Sequence, residues 1–222
     1  AASDVYKRQE HSEVVTAIKA LKRNKAGGPD GLRAEEYKML SKIGVVTIHD
    51  LLNELWDDEM LCTPLTQARI VSLYKKGDPR KQENYRPIAL LNILYKIYAR
   101  IIQKRLAAEL EPHLWKTQYG FRKAHSTSQA LHIGRRLSEW GEMGQDPLYM
   151  AFLDWERAFD KVDHTALIQA LTRLNLPPKI IRVIGTLYKQ PVFKVQMGTD
   201  QSDYKPQSTG IRQGCPLSPY LF

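Results

Sequence analysis

An α+β fold is expected, on three observations. Apolar residues recur at helical spacing through the first third of the chain. The later part mixes short β-branched runs with further helical stretches, and clusters of Gly, Pro and Asp punctuate both. At 222 residues, 43% hydrophobic and 26% charged, the chain can bury a core as one large domain or two small ones. No apolar run approaches the ~18 residues of a membrane span, and no hydrophobic signal segment opens the sequence.

Taken in order, residues 1–9 ("AASDVYKRQ") lack periodicity and read as unstructured, adaptor-derived sequence outside the fold. The start at Ala1 and the stop at "PLSPYLF" read as the edges of an internal fragment. Val14, Val15, Ile18 and Leu21 predict a helix capped by Ser12 and closed by the turn Gly27-Gly28-Pro29-Asp30-Gly31. Residues 32–61 predict two helices broken near Ile43 and Gly44. Ile70, Val71, Leu73 and Tyr74 favour a strand that turns at Gly77-Asp78-Pro79 and returns through Tyr85-Arg86-Pro87-Ile88, a hairpin with a basic tip. Leu94, Ile97, Tyr98, Ile101, Ile102 and Leu106 predict a long amphipathic helix whose polar side carries Lys96, Arg100, Lys104 and Arg105. A helix over 127–142, a strand over 147–154 and helices over 164–175 and 178–189 follow. The segments "PVFKVQM" and "DYKPQS" are expected to pair across Gly198-Thr199-Asp200.

The net charge is +9, unevenly spread. Between Arg69 and Arg136 stand fifteen Lys/Arg against four Asp/Glu, while the rest of the chain is close to neutral. This block also holds Tyr74, Tyr85, Tyr95, Tyr98, Tyr119 and Phe121. Cations interleaved with aromatics suit a polyphosphate backbone, although solvated helix faces would leave the same composition. Cys62 and Cys215 lie far apart and suggest neither a disulfide framework nor a disulfide-linked partner.

The stretch "AFLDWERAFDKVDH" carries the sharpest chemical signal. An apolar run, Tyr149 to Leu153, ends in Asp154, which is one way to set a metal ligand at a sheet edge. Phe159 would hold a ring just beyond the carboxylate, or simply join the core. Asp163 fits an N-cap for "HTALIQAL". The acidic "WDDEM" at 56–60 reads as a helix face. His125 and His164 show no ligand pairing, and Cys215 reads as a packing residue.

Five blocks, in order, resemble the reverse transcriptases of non-LTR (LINE-type) retrotransposons: "NKAGGPDGLRAEEYK", "YKKGDPRKQENYRPIALLNILYKIYARIIQKRL", "QYGFRKAHSTSQAL", "AFLDWERAFDKVDH" and "TGIRQGCPLSP". The resemblance implies the fingers and partial palm of a right-hand polymerase. It divides the chain into an N-terminal extension with fingers, 10–146, and a partial palm, 147–222. It makes Asp154 the first metal-binding and catalytic aspartate, with the Trp155 carbonyl as a second ligand. Phe159 becomes the steric gate against a ribose 2′-hydroxyl, and Gln213 and Gly214 line the nucleotide pocket. Arg69, Lys75 and Arg86 would reach the dNTP phosphates, and Arg122 and Lys123 would lie near the nucleic acid.

The implied activity is RNA-directed DNA polymerisation with Mg²⁺, two ions in the complete enzyme and Mn²⁺ as a substitute. The implied partners are an RNA template, a DNA primer and dNTPs. The expected setting is intracellular, without membrane association, in nucleus and cytoplasm for a eukaryotic host. The family's [FY]-A-D-D motif and thumb do not occur in this sequence, so the chain by itself is expected to be inactive. The rivals are a group II intron-type reverse transcriptase or maturase, a non-catalytic RNA-binding protein on the same scaffold, and a decayed copy.

Overall fold

The computed structural model describes residues 6–144 and 147–222. Val14, Ala17 and Ile18 form the buried stripe of helix α1 (His11–Lys19). Glu10, rather than Ser12, caps it through a reciprocal box with Glu13. Helices α2 (Ala34–Lys38) and α3 (Lys42–Asp58) follow. Their break lies at 39–41, ahead of Ile43 and Gly44, because Ser41 Oγ accepts from Gly44 N (3.2 Å) and starts α3 before the glycine. A short helix α4 (Thr63–Thr66) leads into the sheet.

Strands β1 (Gln67–Tyr74) and β2 (Tyr85–Leu91) form the expected antiparallel hairpin, with Tyr74 opposite Tyr85 and Ala68 opposite Leu91. On its other edge β1 pairs in parallel with β3 (Val192–Met197). Past the turn at Gly198 and Thr199, β4 (Asp200–Gln201) and β5 (Lys205–Pro206) return along β3 in two short pieces. The sheet therefore joins strands from both sides of residue 146.

Helix α5 (Ile93–Leu110) is the centre of the core, buried on nearly every side and packed against α1, α4 and the terminal α9 (Ser218–Leu221). Of the four cations expected on its polar side, Lys104 is exposed and Lys96 and Arg100 are half-buried, and Arg105 alone is the correction. Arg105 is buried over the Trp56 ring at 5.1 Å, with Nε and Nη2 donating to Glu13 at 3.0 and 2.6 Å. Burial lowers the pKa of the Lys96 ammonium. Tyr95 and Tyr98 are fully buried, so neither offers a stacking face. A buried guanidinium needs acceptors for its five N–H groups, and the chain before α1 supplies two. Arg105 donates to the carbonyls of Lys7 (2.7 Å) and Arg8 (3.1 Å), and Gln9 N donates to Asn53 Oδ1 (2.6 Å). Residues 7–9, expected to lack structure, are thereby held; residues 1–5 lie outside the described residues.

Helices α6 (Thr127–Gly144), α7 (His164–Arg173) and α8 (Pro178–Leu187) follow the expected order. Helix α6 buries none of its residues. The strand expected over 147–154 does not form: 147–155 has no regular structure, and Phe152 and Leu153 are 90% and 86% exposed. A strand exists through its ladder, and β1 to β5 pair only among themselves, so no described neighbour completes one here.

Candidate active site

The hairpin tip is knitted from within. Lys75 N donates to the Asn84 carbonyl (2.9 Å), carrying the ladder one step past Tyr74. Asn84 Nδ2 donates to the Asp78 carbonyl (2.8 Å), and Asp78 Oδ1 accepts from Arg80 N (2.9 Å). The Tyr74 and Tyr85 rings meet edge-on at 5.6 Å, and their hydroxyls donate to the Gly77 and Pro79 carbonyls at 2.5 and 2.9 Å. Polar satisfaction of this kind turns a basic loop into a defined arrangement of cations.

Facing it is the segment after Asp154. Arg157 adopts φ 51°, and its carbonyl accepts from Asp160 N (2.9 Å) and Lys161 N (3.2 Å), shaping the 3-10 turn Ala158–Lys161. Asp163 caps α7 as expected, its Oδ1 accepting from Ala166 N at 2.7 Å. The "GIRQGC" loop is laced onto this turn. Gly210 N donates to the Val162 carbonyl (2.7 Å) and Ile211 N to the Phe159 carbonyl (2.8 Å). His164 Nε2 donates to the Gly210 carbonyl (2.8 Å), a role its sequence context did not signal. Gln213 Nε2 donates to Asp160 Oδ1 (3.1 Å), while the Gln213 carbonyl accepts from Ala89 N on β2 (3.0 Å). Arg212, buried over the Tyr95 ring, anchors the loop to the Thr66 carbonyl.

Between hairpin and loop lies a cleft of about 940 Å³. Lys75, Lys81, Glu83 and Arg86 line one side, and Arg157, Asp160 and Gln213 the other. Of the residues predicted to meet a nucleotide, Lys75, Arg86 and Gln213 share this cleft. Gly214 packs behind Gln213 against β2, and half-buried Phe159 stacks on Phe222 at 5.1 Å. Arg69 lies elsewhere, its Nη2 donating to the Gly27 carbonyl (3.0 Å) in the "AGGPDG" turn. Arg122 folds its own loop, donating to the Trp115 and Gln118 carbonyls (2.8 and 3.2 Å) and to Glu111, whose carboxyl it holds below the usual range. Lys123 beside it is exposed. Sequence reasoning left Lys81, Arg157 and Asp160 unassigned. Their only signal was position, at a Gly-Asp-Pro turn or within six residues of Asp154.

Asp154 and Trp155 sit on the exposed run 147–155 and do not line the cleft. An exposed carboxylate and a neighbouring carbonyl are the hard oxygen donors that Mg²⁺ takes, alongside water and phosphate oxygens. They fit part of one shell. No group of three or more His, Cys, Asp or Glu able to hold a metal occurs among the described residues. No described helix is long and apolar enough to cross a membrane.

Residues 74–222 match the family model described as reverse transcriptase (RNA-dependent DNA polymerase). The chain is 32% identical over 219 residues to the transposon TX1 uncharacterized 149 kDa protein of Xenopus laevis, covering 95% of this chain and 16% of that protein. It is 30% identical over 213 residues to the RNA-directed DNA polymerase from mobile element jockey of Drosophila melanogaster, covering 95% and 23%. A third relative, the Pol polyprotein from the type-1 retrotransposable element R2 of Nasonia vitripennis, is 25% identical over 212 residues, covering 95% and 20%. The chain thus spans about a fifth of the length of these relatives. With the family's model covering two thirds of its residues, the chain belongs to the reverse transcriptase (RNA-dependent DNA polymerase) family, in its non-LTR retrotransposon branch.

Proposed function

We propose that this chain forms the N-terminal extension, fingers (10–146) and first part of the palm (147–222) of an enzyme that extends a DNA primer on an RNA template from dNTPs. The observation that carries this reading is the cleft shared by Lys75, Arg86 and Gln213, with cations on the hairpin side and an amide opposite. Phosphoryl transfer asks a protein mainly for position and for charge that stabilises the transferring group, and this cleft offers both. Lys75 and Arg86 take the triphosphate, and Gln213, held by Asp160 and backed by Gly214, meets the nucleotide. Phe159 crowds the sugar. Arg69 would join them on release from the Gly27 carbonyl. Lys123, with Arg122 shaping its loop, meets template or primer.

Asp154 and the Trp155 carbonyl would hold Mg²⁺, or Mn²⁺ in its place, and a two-ion site in the complete enzyme would polarise the phosphate oxygens and activate the primer hydroxyl. One carboxylate on an unpaired segment does not complete such a site, so the 222-residue chain alone is proposed to bind nucleotide without extending a primer.

The test is made in the complete protein that carries this chain. Asp154→Ala should lower primer extension by roughly 10³-fold or more while RNA affinity is retained. Extension near the wild-type rate would remove Asp154 from the metal site and favour the RNA-binding rival. Phe159→Ala should admit ribonucleotides, read as the ratio of rNTP to dNTP incorporation; an unchanged ratio would remove the gate.

A further inference from the structure

We propose that Arg157 is the phosphate ligand of the wall opposite the basic hairpin, so that a polyphosphate in the cleft is gripped from two sides. The inference rests on the reading of the cleft as a nucleotide site. On the hairpin wall stand Lys75, Lys81 and Arg86; Arg157 is the cation lining the facing wall. Its guanidinium is 3.9 Å from Glu156 with both side chains largely exposed, a loose pair that leaves its N–H groups open to a ligand. The acid beside it, Asp160, already accepts from Gln213 Nε2.

Backbone geometry supports the same role. Arg157 is a non-glycine residue in the left-handed region, held there by two N–H groups converging on its carbonyl. Such a conformation persists where surrounding structure enforces it, and it directs the side chain of the residue that adopts it. A planar guanidinium binds two phosphate oxygens at once, which a lysine point charge does not. With cations on both walls of one cleft, the ligand is a compact chain of phosphates, that of a nucleoside triphosphate, and binding to a nucleic-acid strand is the contrary outcome of the test.

The experiment measures affinities of the 222-residue chain for inorganic tripolyphosphate, for dTTP and for a short single-stranded RNA, each with Arg157→Gln, Arg157→Lys and Arg86→Gln. Arg157→Gln should weaken tripolyphosphate and dTTP by roughly tenfold and leave RNA within twofold. Arg157→Lys should recover part of the loss, which also separates it from misfolding. If Arg86→Gln weakens tripolyphosphate and Arg157→Gln does not, Arg157 lies outside the site and the reading of the cleft survives. If Arg157→Gln weakens only RNA, its ligand is the strand and the proposal fails. If wild-type chain binds neither tripolyphosphate nor dTTP, the nucleotide reading of the cleft fails with it.

Discussion

Gly214 shows how tightly one position can be constrained. It adopts φ 116°, and a Cβ there would lie 2.8 Å from the Ala89 carbonyl oxygen, which belongs to a strand and cannot move aside. Gly214→Ala should destabilise the protein by about 1–3 kcal/mol from backbone strain, with the contact adding to it. The denaturant midpoint is the measurement, and a midpoint equal to wild type would contradict this packing. In the sequence Gly214 was read as a pocket-lining glycine of a short motif, and its packing demand was hidden because it comes from a strand more than a hundred residues earlier. Asp163 was legible for the opposite reason: a cap acts on a backbone N–H three residues away. Tyr95 and Tyr98 were misleading within the basic block. Helical spacing put Tyr98 on the apolar stripe, but it does not reveal that Tyr95 beside it is covered by Arg212 and Cys215, more than a hundred residues later.

At the scale of elements, the end of α3 is tied to α8. Glu59 accepts from Arg182 Nε and Nη2 at 2.6 and 2.9 Å, with Lys179 Nζ at 3.3 Å. These cations hold the Glu59 carboxyl below its ordinary value of 4.5. The folded pKa lies under the unfolded one, so the stabilisation is complete above the unfolded value and disappears as pH falls through the folded value. Glu59→Gln should flatten the acid side of the pH–stability curve below about pH 5, with a loss at neutral pH of only about 0.2–1 kcal/mol because water screens the pair. Thermal midpoints between pH 3 and 7 give the comparison; parallel curves would leave the tie without energetic weight. The failed strand over 147–154 belongs to this scale too. Apolar runs announce burial, but a ladder needs a partner, and no described strand pairs with this run.

Over the whole molecule, the N-terminal segment, α1, α3 and α5 meet at Arg105. Replacing it by Met would leave Glu13 without its cation and free the carbonyls of Lys7 and Arg8. Breaking a buried pair from one side typically costs about 3–5 kcal/mol. Because Glu13 keeps 24% of its side chain in solvent, the loss should fall near the lower end. Equilibrium unfolding measures it, and a change under 1 kcal/mol would mean that the segment before α1 contributes little. The order of elements was legible because it follows local patterning. Which of the fifteen cations face outward was not, since Arg69, Arg105 and Arg122 are used internally and only tertiary packing decides that.

The parallel pairing of β1 with β3 also sets a clock. As the chain leaves the ribosome, β1 and β2 can close their hairpin at once, since only a short tip separates them. The other edge of β1 must wait for β3, more than a hundred residues downstream. At about 5–20 residues per second that wait is on the order of ten seconds. During it, Ile70 and Val71 stand on an open edge that another nascent chain could cap first. Slowing translation before codon 192 should therefore lower the soluble yield, while a chaperone present at that stage should restore it.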